Sequence, residues 1–129
     1  MARIERFEDI EAWRVARELA KDTYRITSNA KFGRDFCLRD QMRRASVSIL
    51  SNIAEGFERS GDKEFQQFLA LAKGSCGELR SQLYIALDQQ YVSEEQFAET
   101  RLKSEEVSKM LAGLIRYLRG AAMRGSKYK

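Results

Sequence analysis

Arg43-Arg44-Ala45-Ser46-Val47-Ser48-Ile49-Leu50-Ser51-Asn52-Ile53-Ala54-Glu55-Gly56 decides how the rest of this 129-residue chain is read. At 100° per residue, Leu38, Met42, Ala45, Ser46, Ile49, Ile53 and Phe57 share one arc, so the stretch belongs to a helix from about Leu38 to Phe57 with a core face. Beside that arc, Arg44, Ser48, Ser51, Asn52, Glu55 and Arg59 follow one another at spacings of three or four, where side chains can meet. Arg44 and Arg59 can both turn toward Glu55, with hydroxyls and an amide between them. The line Arg44, Ser48, Asn52, Glu55, Arg59 therefore reads either as a polar seam packed against another element or as an ordinary wet helix face. In the seam reading Glu55 is at least half buried and bonded to an arginine.

Outward from this helix the chain repeats the same amphipathic logic. Ala12, Trp13, Val15, Ala16, Leu19, Ala20, Thr23, Ile26 and Thr27 fill half the wheel of a first helix, about Ile10 to Asn29. Phe7 is placed to staple its start, and Glu8 or Asp9 to cap it. Residues 28 to 35 form the connection, with Asn29 or Gly33 able to take positive φ and Asp35 set to cap the second helix. A third helix, about Asp62 to Gln90, is capped by Ser60 or Asp62 and carries its core face on Phe65, Phe68, Leu69, Ala72, Cys76, Leu79, Leu83, Ala86 and Leu87. On its opposite side Ala70, Gly74, Gly77 and Ser81 make a strip with almost no bulk. Glycine inside a helix costs roughly 1 kcal/mol against alanine, so two in four residues read as close approach by another helix, from a second subunit, or as a weak or kinked stretch. Ser93 and Gln96 form a capping box for a fourth helix, about Glu94 to Arg119, with Ser104, Val107, Leu111, Leu114, Leu118 and Ala121 as its seam.

Four amphipathic segments joined by short polar turns predict an all-α fold, an antiparallel up-down-up-down four-helix bundle, over residues 1–120. Residues 121–129 lose periodicity and read as a basic, flexible C-terminal tail.

Phe7, Trp13, Tyr24, Gln41 to Gly56 and Gly74-Ser75-Cys76-Gly77-Glu78-Leu79 together resemble the bacterial four-helix-bundle proteins encoded in the intervening sequences of 23S ribosomal RNA genes. More remotely, they resemble the accessory variability determinants of diversity-generating retroelements. The likeness runs from about residue 4 to 119, and its specific part is the run ending Asn52-Ile53-Ala54-Glu55-Gly56. Lys31-Phe32-Gly33 and Leu50 stand where such proteins carry Phe-Pro and Pro, which favours a straighter second helix. The resemblance implies a ring-like homo-oligomer, a pentamer, and association with RNA or with a reverse transcriptase.

Composition narrows the chemistry. With no proline and 33% charged residues, the chain suits long helices with wet outer faces. With no histidine it lacks the commonest catalytic base and metal ligand. There is no phosphate-cradling glycine loop and no nucleophile elbow, and neither Cys37 nor Cys76 has a histidine to activate it. The two cysteines read as reduced core or near-core thiols of a cytoplasmic protein. Glu94-Glu95 and Glu105-Glu106 read as solvation and capping. No catalytic residue, metal site or cofactor is expected, and no stretch reads as a membrane span or leader.

Net charge is +4, and its distribution is uneven. From Val107 onward the chain holds 6 of its 23 Lys and Arg (Lys109, Arg116, Arg119, Arg124, Lys127 and Lys129) and none of its 19 Asp and Glu. With Arg34, Arg39 and Arg43 these are the candidate phosphate contacts of a nucleic-acid-binding scaffold, RNA being the favoured partner. A solubilising tail is the plainer reading of the basic terminus, and an adaptor whose partner is another protein is the competing function.

Overall fold

The computed structural model describes residues 4–123. It is all-α: a 3-10 turn at Phe7–Asp9, then α1 (Glu11–Ile26), α2 (Ala30–Gly33), α3 (Phe36–Glu58), α4 (Asp62–Asp88) and α5 (Glu94–Met123). There is no strand among the described residues. The four long helices are those the periodicity predicts, and the single turn α2 lies where only a connection was expected. Each long helix touches two others: α1 packs on α3 and α5, and α4 packs on the same two. Leu19, Met42, Ile49, Ile53, Phe65, Leu69, Leu79, Leu83, Val107, Leu111 and Leu118 are fully buried among them, forming one core.

The helix ends explain the boundaries. Asp35 caps α3 as expected, accepting from the Leu38 N–H at 3.1 Å, and Ser93 and Gln96 form the reciprocal box that starts α5. Asn29 takes an extended backbone, φ −67°, and uses its side chain to cap α2 at the Phe32 N–H. The expected positive φ at Asn29 or Gly33 is thus not found. It falls instead on Gln90, φ 61°, where the Tyr91 N–H reaches the Ala86 carbonyl and the Gln90 N–H reaches Leu87 to close α4. Neither Ser60 nor Asp62 caps α4, whose N-cap is Gly61. Neither Glu8 nor Asp9 caps α1: the N-cap is Ile10, and the Asp9 carboxylate turns back to accept from the Glu5 and Arg6 N–H groups. Those two bonds, more than the nearby arginines, hold the Asp9 carboxyl below its ordinary value. Phe7 does pack as a staple, edge-on to Trp13 at 5.1 Å between ring centroids.

Tyr91 ties the α4–α5 turn to the first connection. Its ring lies 4.9 Å from that of Phe32, its carbonyl accepts from Asn29, and its hydroxyl donates to Asp35 at 3.0 Å. Losing that phenolic proton beside a carboxylate is unfavourable, so the Tyr91 pKa is raised. Polar groups also cross between helices. Ser104 donates to the Cys76 carbonyl, and Lys103 Nζ lies 2.6 Å from Asp22, which also pairs with Arg25. Burial alone would raise the Asp22 carboxyl, but the bonds from Lys103 and Arg25 outweigh it and hold it below the usual value. Cys76 is buried, which pushes its thiol up to about 11, whereas Cys37 is exposed rather than near the core. α5 carries Ala121 to Met123 in its last turn, past the boundary placed after residue 120.

Candidate functional site

The polar stripe of α3 divides along its length. In the middle it is an interhelix contact: the Ser48 and Ser75 hydroxyls lie 3.0 Å apart across the α3–α4 groove, and Asn52 donates to the Ser48 carbonyl at 2.8 Å and hydroxyl at 3.0 Å. Toward the C-terminus it is wet. Glu55 keeps the expected arginine partner, Arg59 at 3.0 Å, but its side chain is 52% exposed, just short of the half burial expected. The wheel of α3 does not separate the two parts, since Glu55 lies only about 20° from Ser48 at 100° per residue; the difference lies in how far along the helix α4 covers the stripe. Arg59 also reaches Glu64 at 3.5 Å and stacks on Phe68. Arg44 does not reach Glu55. It faces Glu78 and Gln82 of α4 across a cavity of about 300 Å³.

Close backbone approach is found at Gly56. A Cβ built there would stand 2.6 Å from Phe68 Cβ and 3.1 Å from Phe65 Cδ1. The strip on α4 is different. Ala70, Gly74 and Ser81 are exposed and Gly77 is half-buried. A Cβ at Gly74 would meet nothing within 4 Å, and one at Gly77 only the Arg80 guanidinium at 3.9 Å. Among the described residues no helix of this chain uses the strip, and exposed Leu71, Tyr84 and Ile85 stand around it.

The structure does not bring the candidate phosphate contacts together. Arg34, Arg39 and Arg43 lie at the end of the molecule where Asn29 and Asp35 meet Tyr91, close to the start of α5. Arg116 is 22 residues beyond Glu94, roughly 33 Å along α5 at 1.5 Å per residue, and Arg119 is further still. Two of the first group are already engaged. Arg39 pairs with Asp40 at 2.9 Å, donates to the Gly33 carbonyl and stacks on Phe36. Arg43 donates to the Thr27 and Ser28 hydroxyls and stacks on Tyr24. Arg34 is exposed. On α5, Lys109, Arg116 and Arg119 are exposed, with no carboxylate from Val107 to Met123 to neutralise them. Arg124, Lys127 and Lys129 lie outside the described residues.

Sequence reasoning passed over Glu78, Gln82 and the Asp22–Lys103 pair. A signal for Gln82 existed: it follows Ser75 by seven residues and so shares the flank of α4 that faces α3. Among the described residues, no group of three metal-binding side chains converges, and no helix is long and apolar enough to cross a membrane.

Comparison with known proteins agrees with the helical architecture. The family model for the 23S rRNA-intervening sequence protein matches residues 8–113. Among solved structures, the chain is similar to a protein with unknown function from the S23 ribosomal protein family of Bacteroides thetaiotaomicron. The two share 23% identity and superpose with a TM-score of 0.74, covering 81% of this chain and 97% of that one. No curated protein matches the chain.

Proposed function

Because the chain belongs to the 23S rRNA-intervening sequence protein family, we propose that it is a non-enzymatic scaffold that binds nucleic acid, RNA or RNA with DNA, through repeated basic surfaces. In this reading the four long helices form an antiparallel up-down-up-down bundle, and copies of it close in the cytoplasm into a ring-like homo-oligomer, a pentamer. The resemblance to accessory variability determinants makes a reverse-transcriptase ribonucleoprotein the setting for such a scaffold.

The observation that carries the reading is the second half of α5, where exposed Lys109, Arg116 and Arg119 have no acidic neighbour in sequence. A cationic face without acidic neighbours in sequence is suited to phosphates. One copy at net +4 steers weakly, but ring symmetry would bring equivalent faces to the same end. Contacts of this kind position a backbone rather than read bases.

Titration of structured RNA and duplex DNA against the oligomer over a salt series tests it. Affinity is expected to fall steeply with salt, and Lys109→Gln, Arg116→Gln and Arg119→Gln together to lower both affinity and slope. If nothing binds at about 50 mM salt, the adaptor reading replaces this one. The outer face of α4 favours that second reading, since Leu71, Tyr84 and Ile85 are exposed around the low-bulk strip.

A further inference from the structure

Two aromatic rings stand open near the start of α3, and each is backed by an arginine. Phe36 is 63% exposed with the Arg39 guanidinium 4.7 Å from its ring centroid, and Tyr24 is 43% exposed with the Arg43 guanidinium at the same distance. The other six phenylalanines of the chain are buried or half-buried, so Phe36 is the one the fold leaves outside. Hydrogen bonds fix both guanidiniums. Arg39 donates from Nη1 to the Gly33 carbonyl and from Nε to Asp40. Arg43 donates from Nε to Thr27 and from Nη2 to Ser28, whose hydroxyls are themselves committed to the carbonyls of Thr23 and Tyr24. Arg39 and Arg43 are one turn apart on α3, about 6 Å along its axis, so the two stacks are neighbours.

We propose that these two stacks are platforms for unpaired bases of a single-stranded nucleic acid. The proposal rests on the nucleic-acid reading above and adds to it a second surface, apart from the basic face of α5, that selects single strands over duplex. The chemistry left open selects this class. An acidic peptide would need free guanidinium N–H groups, and in both arginines two of the three nitrogens are already spent. What remains is the flat face of a ring or a guanidinium, which takes another flat π system. Bases offer their faces in that way only where they are unpaired, because a duplex keeps them stacked inside. The charge is complementary as well. Asp40 neutralises Arg39, which leaves it a plane to stack on, whereas Arg34 and Arg43 have no carboxylate partner among the described residues and can face the phosphates of the strand. Asp35, which stands between Arg34 and Phe36 in sequence, is committed to the Leu38 N–H and the Tyr91 hydroxyl.

The test is a fluorescence-anisotropy titration of the full chain with labelled oligouridine and oligoadenine RNA of about 12 nucleotides, a duplex of the same length, and polyglutamate as the acidic-polymer control, each over a salt series. Single strands are expected to bind more tightly than the duplex. Phe36→Leu and Tyr24→Leu, both at exposed positions, should each weaken single-strand binding roughly tenfold with the circular dichroism spectrum and the salt slope unchanged, because stacking releases no counterions. Phe36→Trp should restore the affinity, since it returns a π face that leucine lacks, and its added fluorescence over that of the wild type should be quenched on saturation. Neutralising Lys109, Arg116 and Arg119 should instead lower the salt slope, which separates the two surfaces. Binding of the duplex alone would overturn the platforms and leave the α5 reading standing. Single-strand binding that is indifferent to Phe36→Leu and Tyr24→Leu, that Phe36→Trp does not restore, or that polyglutamate matches would overturn them too, and failure of every nucleic acid to bind would remove both readings.

Discussion

Gly56 and Gly74 are both helical glycines, and they sit in opposite surroundings. At Gly56 the backbone of α3 lies directly on α4, and a methyl group would collide with Phe68 at 2.6 Å. At Gly74 the same methyl group would stand in open space. The first glycine is required by packing inside the chain. The second is required by no packing among the described residues.

The ion pairs divide in the same way. Asp22 and Lys103 join α1 to α5 with the carboxylate side chain only 14% exposed, whereas Glu55 and Arg59 lie along one helix with both side chains about half exposed. Sequence spacing favours the second pair, at i and i+4, and is silent about the first, whose members are 81 residues apart.

Gly56→Ala should break the closed side hardest. Forcing a methyl group against anchored aromatic carbons costs about 3 kcal/mol, and the better helix propensity of alanine returns about 1. A net loss of about 2 kcal/mol in urea unfolding is the expected result. A variant as stable as the wild type would mean that α3 and α4 separate freely at this point.

Asp22→Asn comes next, at about 1.5 kcal/mol near neutral pH, the scale of a hydrogen bond to a charged group. Because the folded carboxyl is held below its ordinary 3.8, its contribution is fully present above that value and lost as pH falls through the lower folded one. The stability difference between variant and wild type should therefore shrink only in that acid window. Unfolding measured across pH checks it, and a difference that vanishes already between about pH 5 and 6 would assign the effect to other groups.

Gly74→Ala reverses the sign. With room for the methyl group and an unstrained helix, alanine should stabilise the single chain by about 1 kcal/mol. Light scattering on the same variant sharpens the comparison: if copies pack on this strip, stability of the chain rises while assembly weakens, and Gly77→Leu should dissociate the oligomer with helicity intact. An assembly indifferent to both substitutions would place the interface elsewhere.

The helices were legible because their apolar spacing is local, and caps such as Asp35 and Ser93 need only three or four residues to declare themselves. What was not legible depends on what stands opposite. Nothing around Gly56 announces Phe68 beneath it, while the strip at Gly74 and Gly77 advertises an approach that no described helix of the chain makes. Gln90 takes the left-handed turn although glycine and asparagine are the usual signals, because Tyr91 is anchored on Phe32, Asn29 and Asp35 and fixes the path of the chain. Of the candidate sites, the spacing along α3 correctly grouped Ser48 with Asn52, but one helix alone could not say where α4 stops covering the stripe. Glu78 became visible only with both helices in place, and the spacing of Gln82 from Ser75 gained its meaning only when Ser75 was seen to face Ser48.

Glu55→Ala should have the smallest effect. The carboxylate pairs with Arg59 at 3.0 Å in the favourable order, acid before base at i and i+4, an arrangement that stabilises exposed helices by only about 0.5 kcal/mol. Two terms oppose even that. Glu55 lies in the last turn of α3, where the helix dipole disfavours a negative charge, and alanine is the better helix former. Arg59 is also not stranded by the substitution, since it keeps Glu64 and the face of Phe68. The expected change in unfolding free energy is therefore within about 0.5 kcal/mol of zero, and it should be insensitive to protein concentration. A loss of about 3 kcal/mol or more, the scale for breaking a buried pair, would be incompatible with an exposed Glu55. If such a loss grew as the protein was concentrated, it would locate a second copy over this end of the α3–α4 groove.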